Sequence, residues 1–272
     1  LWYFWLPLAI QISEEKKRLN RPLIQGILGG QGTGKTTLCT LIYLILEQLS
    51  HRTINISLDD LYKTYAQRQK LKENDPRLIW RGPPGTHDVE LGIKILDQLR
   101  DPIYSQPTAI PRFDKSLWNG EGDRIESEIL SQADIVLFEG WFVGVRPINE
   151  AQYHVWPNPI NTSEDRQFAK DINHALTAYL PMWERLDRLM VLYPVDYHLS
   201  KQWRKEAEQK MIASGKTGMS NQQIDKFVDY FWKSLHPELF ITPLVQNPNL
   251  VDLVIEINAD HSLKHIYRVI EI

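Results

Sequence analysis

A mostly parallel α/β fold is predicted from two patterns that interleave along the chain. Near-continuous apolar runs recur at residues 23–28, 53–58, 135–138, 189–193 and 251–257, and helical periodicity occupies 35–50, 89–100, 164–179, 199–213 and 221–235. An apolar residue at every position suits a strand covered on both faces, as in a parallel sheet, and strands alternating with helices imply a doubly wound topology. Composition agrees: the chain is 43% hydrophobic and 24% charged over 272 residues. That excludes disorder, collagen or a coiled coil as the main state and suits one large domain over 1–272. A formal net charge of −3 argues against a dedicated nucleic-acid binder, which carries a basic excess. The lone Cys39 cannot form an internal disulfide, so a reducing compartment, the cytoplasm, is expected.

Residues 1–20 are the first expected element. Positions 1–10 are almost wholly apolar, but no basic residues precede them, no small-residue cleavage site follows, and their number falls short of the about 20 that a spanning helix needs. A helix packing Trp2, Trp5 and Leu6 onto the body is expected, the alternative being a membrane or partner contact, and the protein is read as soluble with no membrane partner.

The first strand runs into Gly29-Gly30-Gln31-Gly32-Thr33-Gly34-Lys35-Thr36, with Thr37 next. This fits G-x-x-x-x-G-K-[ST], the phosphate-binding loop. Its glycines let backbone N–H groups turn inward around phosphate oxygens where a Cβ would intrude. Lys35 sets a point charge against the β- and γ-phosphates, the Thr36 hydroxyl ligates Mg²⁺, and the following helix aims its positive end at the same anion. Strand before and amphipathic helix after (Leu38, Leu41, Ile42, Ile45 and Leu46 on one face) are the confirming context. The chain is therefore expected to bind ATP or GTP on a P-loop NTPase three-layer sandwich.

The second strand ends in Asp59-Asp60, so Asp59 falls at the carboxyl edge of the sheet beside the phosphates. A carboxylate there takes a proton from a substrate hydroxyl or holds Mg²⁺; the alternative is a cap for the next segment. The third strand ends Phe138-Glu139-Gly140, a Walker B arrangement in which Glu139 orients the metal or its water. Three strands thus deliver Lys35, Asp59 and Glu139 to one edge.

Polar loops follow. Residues 81–85 and 118–122 are turns by composition, and 146–162, with Pro147, Pro157 and Pro159, wraps the surface. Thr86, His87 and Asp88 precede a helix; His87 reads equally as a helix-start hydrogen-bonding residue or a substrate contact, and Asp88 as a cap. Arg112, Asp114 and Lys115 lie in a Pro-bounded loop, with Arg124 beyond. Three cations suit an anionic acceptor, carboxylate above all, against the alternative of a solvated loop. On the charged helix 199–213, Arg204 and Lys205 are candidates to stabilise charge on the transferring group, within a lid-like helical region over 197–235; an ordinary solvated face is the alternative. Residues 215–218 read as a flexible turn.

With the loop, Leu58-Asp59-Asp60-Leu61-Tyr62, Pro84-Gly85-Thr86-His87-Asp88, Pro111-Arg112-Phe113-Asp114-Lys115-Ser116, Phe138-Glu139-Gly140-Trp141, Trp203-Arg204, Gly218-Met219-Ser220 and Phe227-Val228-Asp229-Tyr230 in order, the sequence resembles the D-glycerate 3-kinases of plant and cyanobacterial type. These belong to the P-loop kinases that include uridine kinase, phosphoribulokinase and pantothenate kinase. The resemblance covers roughly residues 22–260 and implies transfer of the ATP γ-phosphate to the C3 hydroxyl of D-glycerate, with Asp59 as base. Leu61 stands where those kinases commonly carry Phe. The nucleoside kinases show Tyr-Asp-Phe where this chain has Phe113-Asp114-Lys115; a cation in place of a ring favours a small acid. Another small-metabolite acceptor, a hydrolase or switch protein, and a non-catalytic ATP-binding regulator are the rival readings.

Overall fold

The computed structural model describes residues 4–103, 106–149, 151, 153–213, 215 and 218–270. Trp2, and Lys216 and Thr217 of the turn expected at 215–218, lie outside the described residues. Within them the strands are β1 (Leu23–Gly29), β2 (Thr53–Ser57), β3 (Thr108–Asp114), β4 (Asp123–Leu130), β5 (Ile135–Gly140), β6 (Arg188–Pro194), β7 (Leu253–Ile257) and β8 (Leu263–Tyr267). The helices are α1 (Trp5–Arg18), α2 (Lys35–Gln48), α3 (Tyr65–Asn74), α4 (Val89–Arg100), α5 (Ser163–Ala175), α6 (Leu180–Trp183), α7 (Leu199–Ala213), α8 (Asn221–Ser234) and α9 (Pro237–Leu244).

The main sheet has the order β2-β5-β1-β6-β7-β8, parallel except for the antiparallel edge strand β8. Every residue of β1 and β5 is buried, as their unbroken apolar runs predict. Alternation along the strands sorts the core into two layers. Leu23 and Ile27 meet Leu38, Ile42 and Leu46 of α2, with Leu8, Ala9 and Ile12 of α1 on the same side. Ile24 and Leu28, with Phe138, meet Leu96 of α4, Ile172 of α5 and Trp183 of α6 on the other. This is the P-loop NTPase three-layer α/β fold.

The apolar start is helical, as expected, but the residues it buries are Leu8, Ala9, Ile12 and Ser13; Trp5 packs at the margin and Leu6 is half-exposed. No helix of the described residues is long and apolar enough to cross a membrane.

The segment expected as a Pro-bounded loop is mostly strand β3, paired antiparallel with β4 in a separate hairpin. Pro111 is accommodated by a bulge between Ile110 and Arg112, where a missing N–H breaks no ladder. The hairpin packs Thr108, Ile110 and Pro111 of β3 inward, with Ile110 in the core beside α4, and leaves Ile125 and Ile129 of β4 48% and 65% exposed. The buried face of β3 is short and interrupted by Pro111, and β4 has almost none, so neither shows the apolar period that marks a strand in sequence. The same holds for β8, exposed at every residue.

Candidate active site

The phosphate loop fills the turn between β1 and α2. Gly34 caps α2 with φ 85° and accepts the Leu38 N–H at 2.9 Å, and the Thr33 hydroxyl donates to the Gly30 carbonyl at 2.9 Å. Gly32 has φ 78°, and a Cβ there would sit 2.5 Å from Cβ of Trp203 on α7. Helix α7 is therefore docked on the loop, with the Trp203 indole donating to the Ala259 carbonyl at 2.8 Å and His261 Nε2 donating to the Gly32 carbonyl at 2.7 Å. Gln31 Oε1 is buried without a hydrogen-bond partner among the described residues, and Thr36 and Thr37 are exposed at the start of α2.

Strand order sets the acids beside this loop, since β5 lies between β1 and β2 and Glu139 pairs in register with Ile27 and Ser57. Lys35 Nζ stands 4.0 Å from Glu139 Oε2, itself buried with no hydrogen-bond donor among the described residues. Burial raises the pKa of Glu139 and the Lys35 charge opposes that. A buried carboxylate oxygen left open beside the loop lysine suits an ion brought in by the nucleotide. No group of three or more His, Cys, Asp or Glu among the described residues can hold a metal by itself. Mg²⁺ fits such a site, because it keeps waters and binds one or two carboxylates plus phosphates.

After β2 the chain turns through a single 3₁₀ turn, Leu58–Leu61. Ser57 Oγ accepts the Asp59 N–H at 3.2 Å, while Asp60 accepts the Ser57 N–H at 3.0 Å and Arg112 Nη1 at 2.9 Å. Capping is thus done by Ser57 and Asp60, and the Asp59 carboxylate is left to the site. It pairs with Lys115 Nζ at 2.5 Å, reached from the hairpin. Burial pushes the Asp59 carboxyl up, but Lys115 and Lys35 outweigh it and hold the pKa at about 2. The Tyr62 hydroxyl faces the same carboxylate and is driven well above its ordinary pKa by burial and that charge.

The remaining predicted residues divide by what they touch. His87 is fully buried, its ring stacked on Tyr62 with centroids 4.5 Å apart and its Nδ1 2.9 Å from the Tyr179 hydroxyl. Burial pulls its pKa to about 3, so it is neutral. Thr86 Oγ1 donates to the Pro83 carbonyl at 2.7 Å and accepts the Gly82 N–H, closing its own loop. Asp88 caps α4 through the Leu91 N–H at 3.1 Å and pairs with Arg124 at 3.0 Å. Arg124 also donates to the Tyr62 carbonyl, and Arg112 is held by Asp60 and by Glu128 at 2.5 Å. Asp114 is engaged by the N–H and hydroxyl of Ser116. Arg204 pairs along its own helix with buried Glu208 at 3.0 Å and lies 5.6 Å from the Phe227 ring centroid. Lys205–Asp225 and Lys201–Asp229, each at 2.7 Å, clasp α7 to α8.

The structure therefore brings Lys35, Glu139, Asp59 and Lys115 together and uses Arg112, Arg124, Asp88 and Thr86 to hold the surrounding loops. Sequence reading quoted Tyr62 and Trp203 within motifs but gave neither a role in this region. Tyr62 carried a signal, three residues beyond Asp59 on a turn; the docking of Trp203 on Gly32 carried none.

No family model matches the chain. It is similar to "D-glycerate 3-kinase, chloroplastic" of Arabidopsis thaliana, 28% identical over 284 residues that cover 96% of this chain and 60% of the plant protein. The chain thus spans less than two thirds of that relative's length. It is also similar to "Probable ATP-dependent kinase TDA10" of Saccharomyces cerevisiae, 30% identical over 244 residues that cover 84% of this chain and 81% of the yeast protein. Among solved structures, D-glycerate 3-kinase from Cryptococcus neoformans matches with a TM-score of 0.84 at 26% identity, over 97% of this chain and 98% of that one.

Proposed function

The chain belongs to the ATP-dependent kinase family represented by yeast TDA10, and from that premise we propose that it transfers the γ-phosphate of ATP to the C3 hydroxyl of D-glycerate, giving 3-phosphoglycerate and ADP. The observation that carries this reading is the meeting of Asp59 with Lys35 and Glu139 at the sheet edge, with Lys115 of the hairpin 2.5 Å from the Asp59 carboxylate. A carboxylate base paired with a largely exposed cation suits an acceptor that offers a hydroxyl and a negative charge. The plant and fungal relatives named for D-glycerate support the same acceptor.

In this reading residues 29–37 cradle the triphosphate, and Lys35 draws charge from the γ-phosphate. Thr36, Glu139 and Asp59 are the protein groups that would hold Mg²⁺, which supplies charge neutralisation on the phosphates. Asp59 accepts the proton of the C3 hydroxyl as the oxygen attacks phosphorus. Arg204 exchanges Glu208 for the transferring group once nucleotide is in place. Thr86, His87 and Asp88 hold the floor of the acceptor pocket, and Arg112, Asp114 and Arg124 hold its hairpin wall. A reducing compartment such as the cytoplasm suits the one thiol, Cys39, which is buried; the plant relative is named chloroplastic.

The test is ATP-dependent ADP release with D-glycerate, beside uridine, pantothenate, ribulose 5-phosphate and no acceptor. Release with D-glycerate alone is expected. Release with another acceptor instead would remove the glycerate assignment and keep the kinase.

A further inference from the structure

The loop before His87 brings one more cation up to Tyr62, the ring beside Asp59. Arg81 Nη1 donates to the Gly120 carbonyl at 2.6 Å, and its guanidinium carbon lies 5.5 Å from the Phe113 ring centroid and 5.9 Å from that of Tyr62. Tyr62 is the residue whose hydroxyl faces Asp59, and it feels both the Asp59 carboxylate and the Arg81 charge. No carboxylate among the described residues pairs with Arg81. That sets it apart from its neighbours. Arg112 and Arg124 are spent on Asp60, Glu128 and Asp88, and Arg68 on the backbone carbonyls of Lys63, Glu121 and Gly122.

Arg81 is also held in place. The following Gly82 has φ 135°, and a Cβ there would fall 2.4 Å from the Phe231 ring. Its N–H goes to Thr86 Oγ1 and its carbonyl accepts the Trp141 indole at 3.2 Å, while Tyr179 accepts the Gly85 N–H at 2.9 Å. A guanidinium on a pinned loop, supported by two aromatic rings and with donors to spare, is pre-organised for a planar anion.

We propose that Arg81 is the specificity-determining residue that binds the carboxylate of an α-hydroxy acid acceptor, whose reacting hydroxyl is turned to Asp59 across the Tyr62 ring. This rests on the glycerate reading above and adds a residue to it. An acceptor anchored by its carboxylate at Arg81 presents the hydroxyl two carbon–carbon bonds away, which selects the terminal C3 position.

The experiment compares wild type, Arg81→Gln and Arg81→Lys in steady-state kinetics with D-glycerate and ATP, with neutral D-glyceramide as competitor. A charge-assisted contact of ordinary strength predicts that R81Q raises KM for D-glycerate by about 10- to 150-fold. KM for ATP should stay within about threefold, D-glyceramide should compete equally with both proteins, and R81K should recover part of the loss. An unchanged KM for D-glycerate in R81Q, or an equal loss for ATP and acceptor, overturns the inference and leaves the glycerate reading standing. A wild-type protein that does not phosphorylate D-glycerate overturns both.

Discussion

At the residue scale the proposed chemistry turns on Asp59 and the charge kept beside it. If Asp59 is the base, Asp59→Asn lowers kcat by about 10²–10⁴, the usual worth of a positioned base, while ATP binding measured by calorimetry is retained; an unchanged kcat removes Asp59 from that role. Lys115 pulls the Asp59 carboxyl down against the upward push of burial. Replacing Lys115 by Met deletes that pull, so the carboxyl rises and the acid limb of the kcat/KM profile moves to higher pH. A profile whose acid limb stays in place contradicts the pairing. These residues were legible in the sequence because an acid that ends a buried apolar strand has few structural uses. Arg112 and Arg124 looked equally like acceptor ligands; that Asp60, Glu128 and Asp88 occupy them depends on pairing across distant segments, which composition and spacing do not carry. Arg81 was unread for the converse reason, since a missing partner is visible only in three dimensions.

At the element scale, the parallel strands and α2 were plain from their patterns because both faces of β1 and β5 are buried. The hairpin β3–β4 was not, because β3 buries only Thr108, Ile110 and Pro111 and β4 is mostly exposed, so neither carries a sustained apolar period, although the hairpin brings Lys115 and Phe113 to the site. The contact of α7 with the phosphate loop yields a prediction of its own. Gly32 adopts a left-handed φ of 78° and has Trp203 Cβ where a side chain would begin. Gly32→Ala adds strain and a clash together, so affinity for ATP falls at least about tenfold by fluorescence or calorimetric titration, through loss of the loop shape. ATP affinity equal to wild type in that variant contradicts the docking of α7 on the loop.

At the scale of the whole molecule, two buried histidines couple folding to pH. Burial lowers His87 from 6.5 to about 3 and His236 from 6.5 to about 4. Between those values and 6.5 the unfolded chain binds protons that the native one refuses, so native stability is greatest above the unfolded pKa and falls as pH drops through that window. Each group contributes a slope of at most about 1.4 kcal/mol per pH unit. Denaturant unfolding at pH 7, 6 and 5 should show the midpoint falling; a flat midpoint contradicts the neutral, buried state of both rings. The same fold that buries His87 stacks its ring on Tyr62, so one of the two residues that make the molecule acid-sensitive also supports the ring beside Asp59.

The most direct test of the central claim is the position of the transferred phosphate. Phosphorus NMR of the product formed from D-glycerate and ATP distinguishes the two hydroxyls, because phosphate on C3 couples to two protons and phosphate on C2 to one. A triplet, with no doublet, is the predicted result. A doublet, or no new phosphate ester while ATP is bound, would contradict the assignment of C3 transfer to this site.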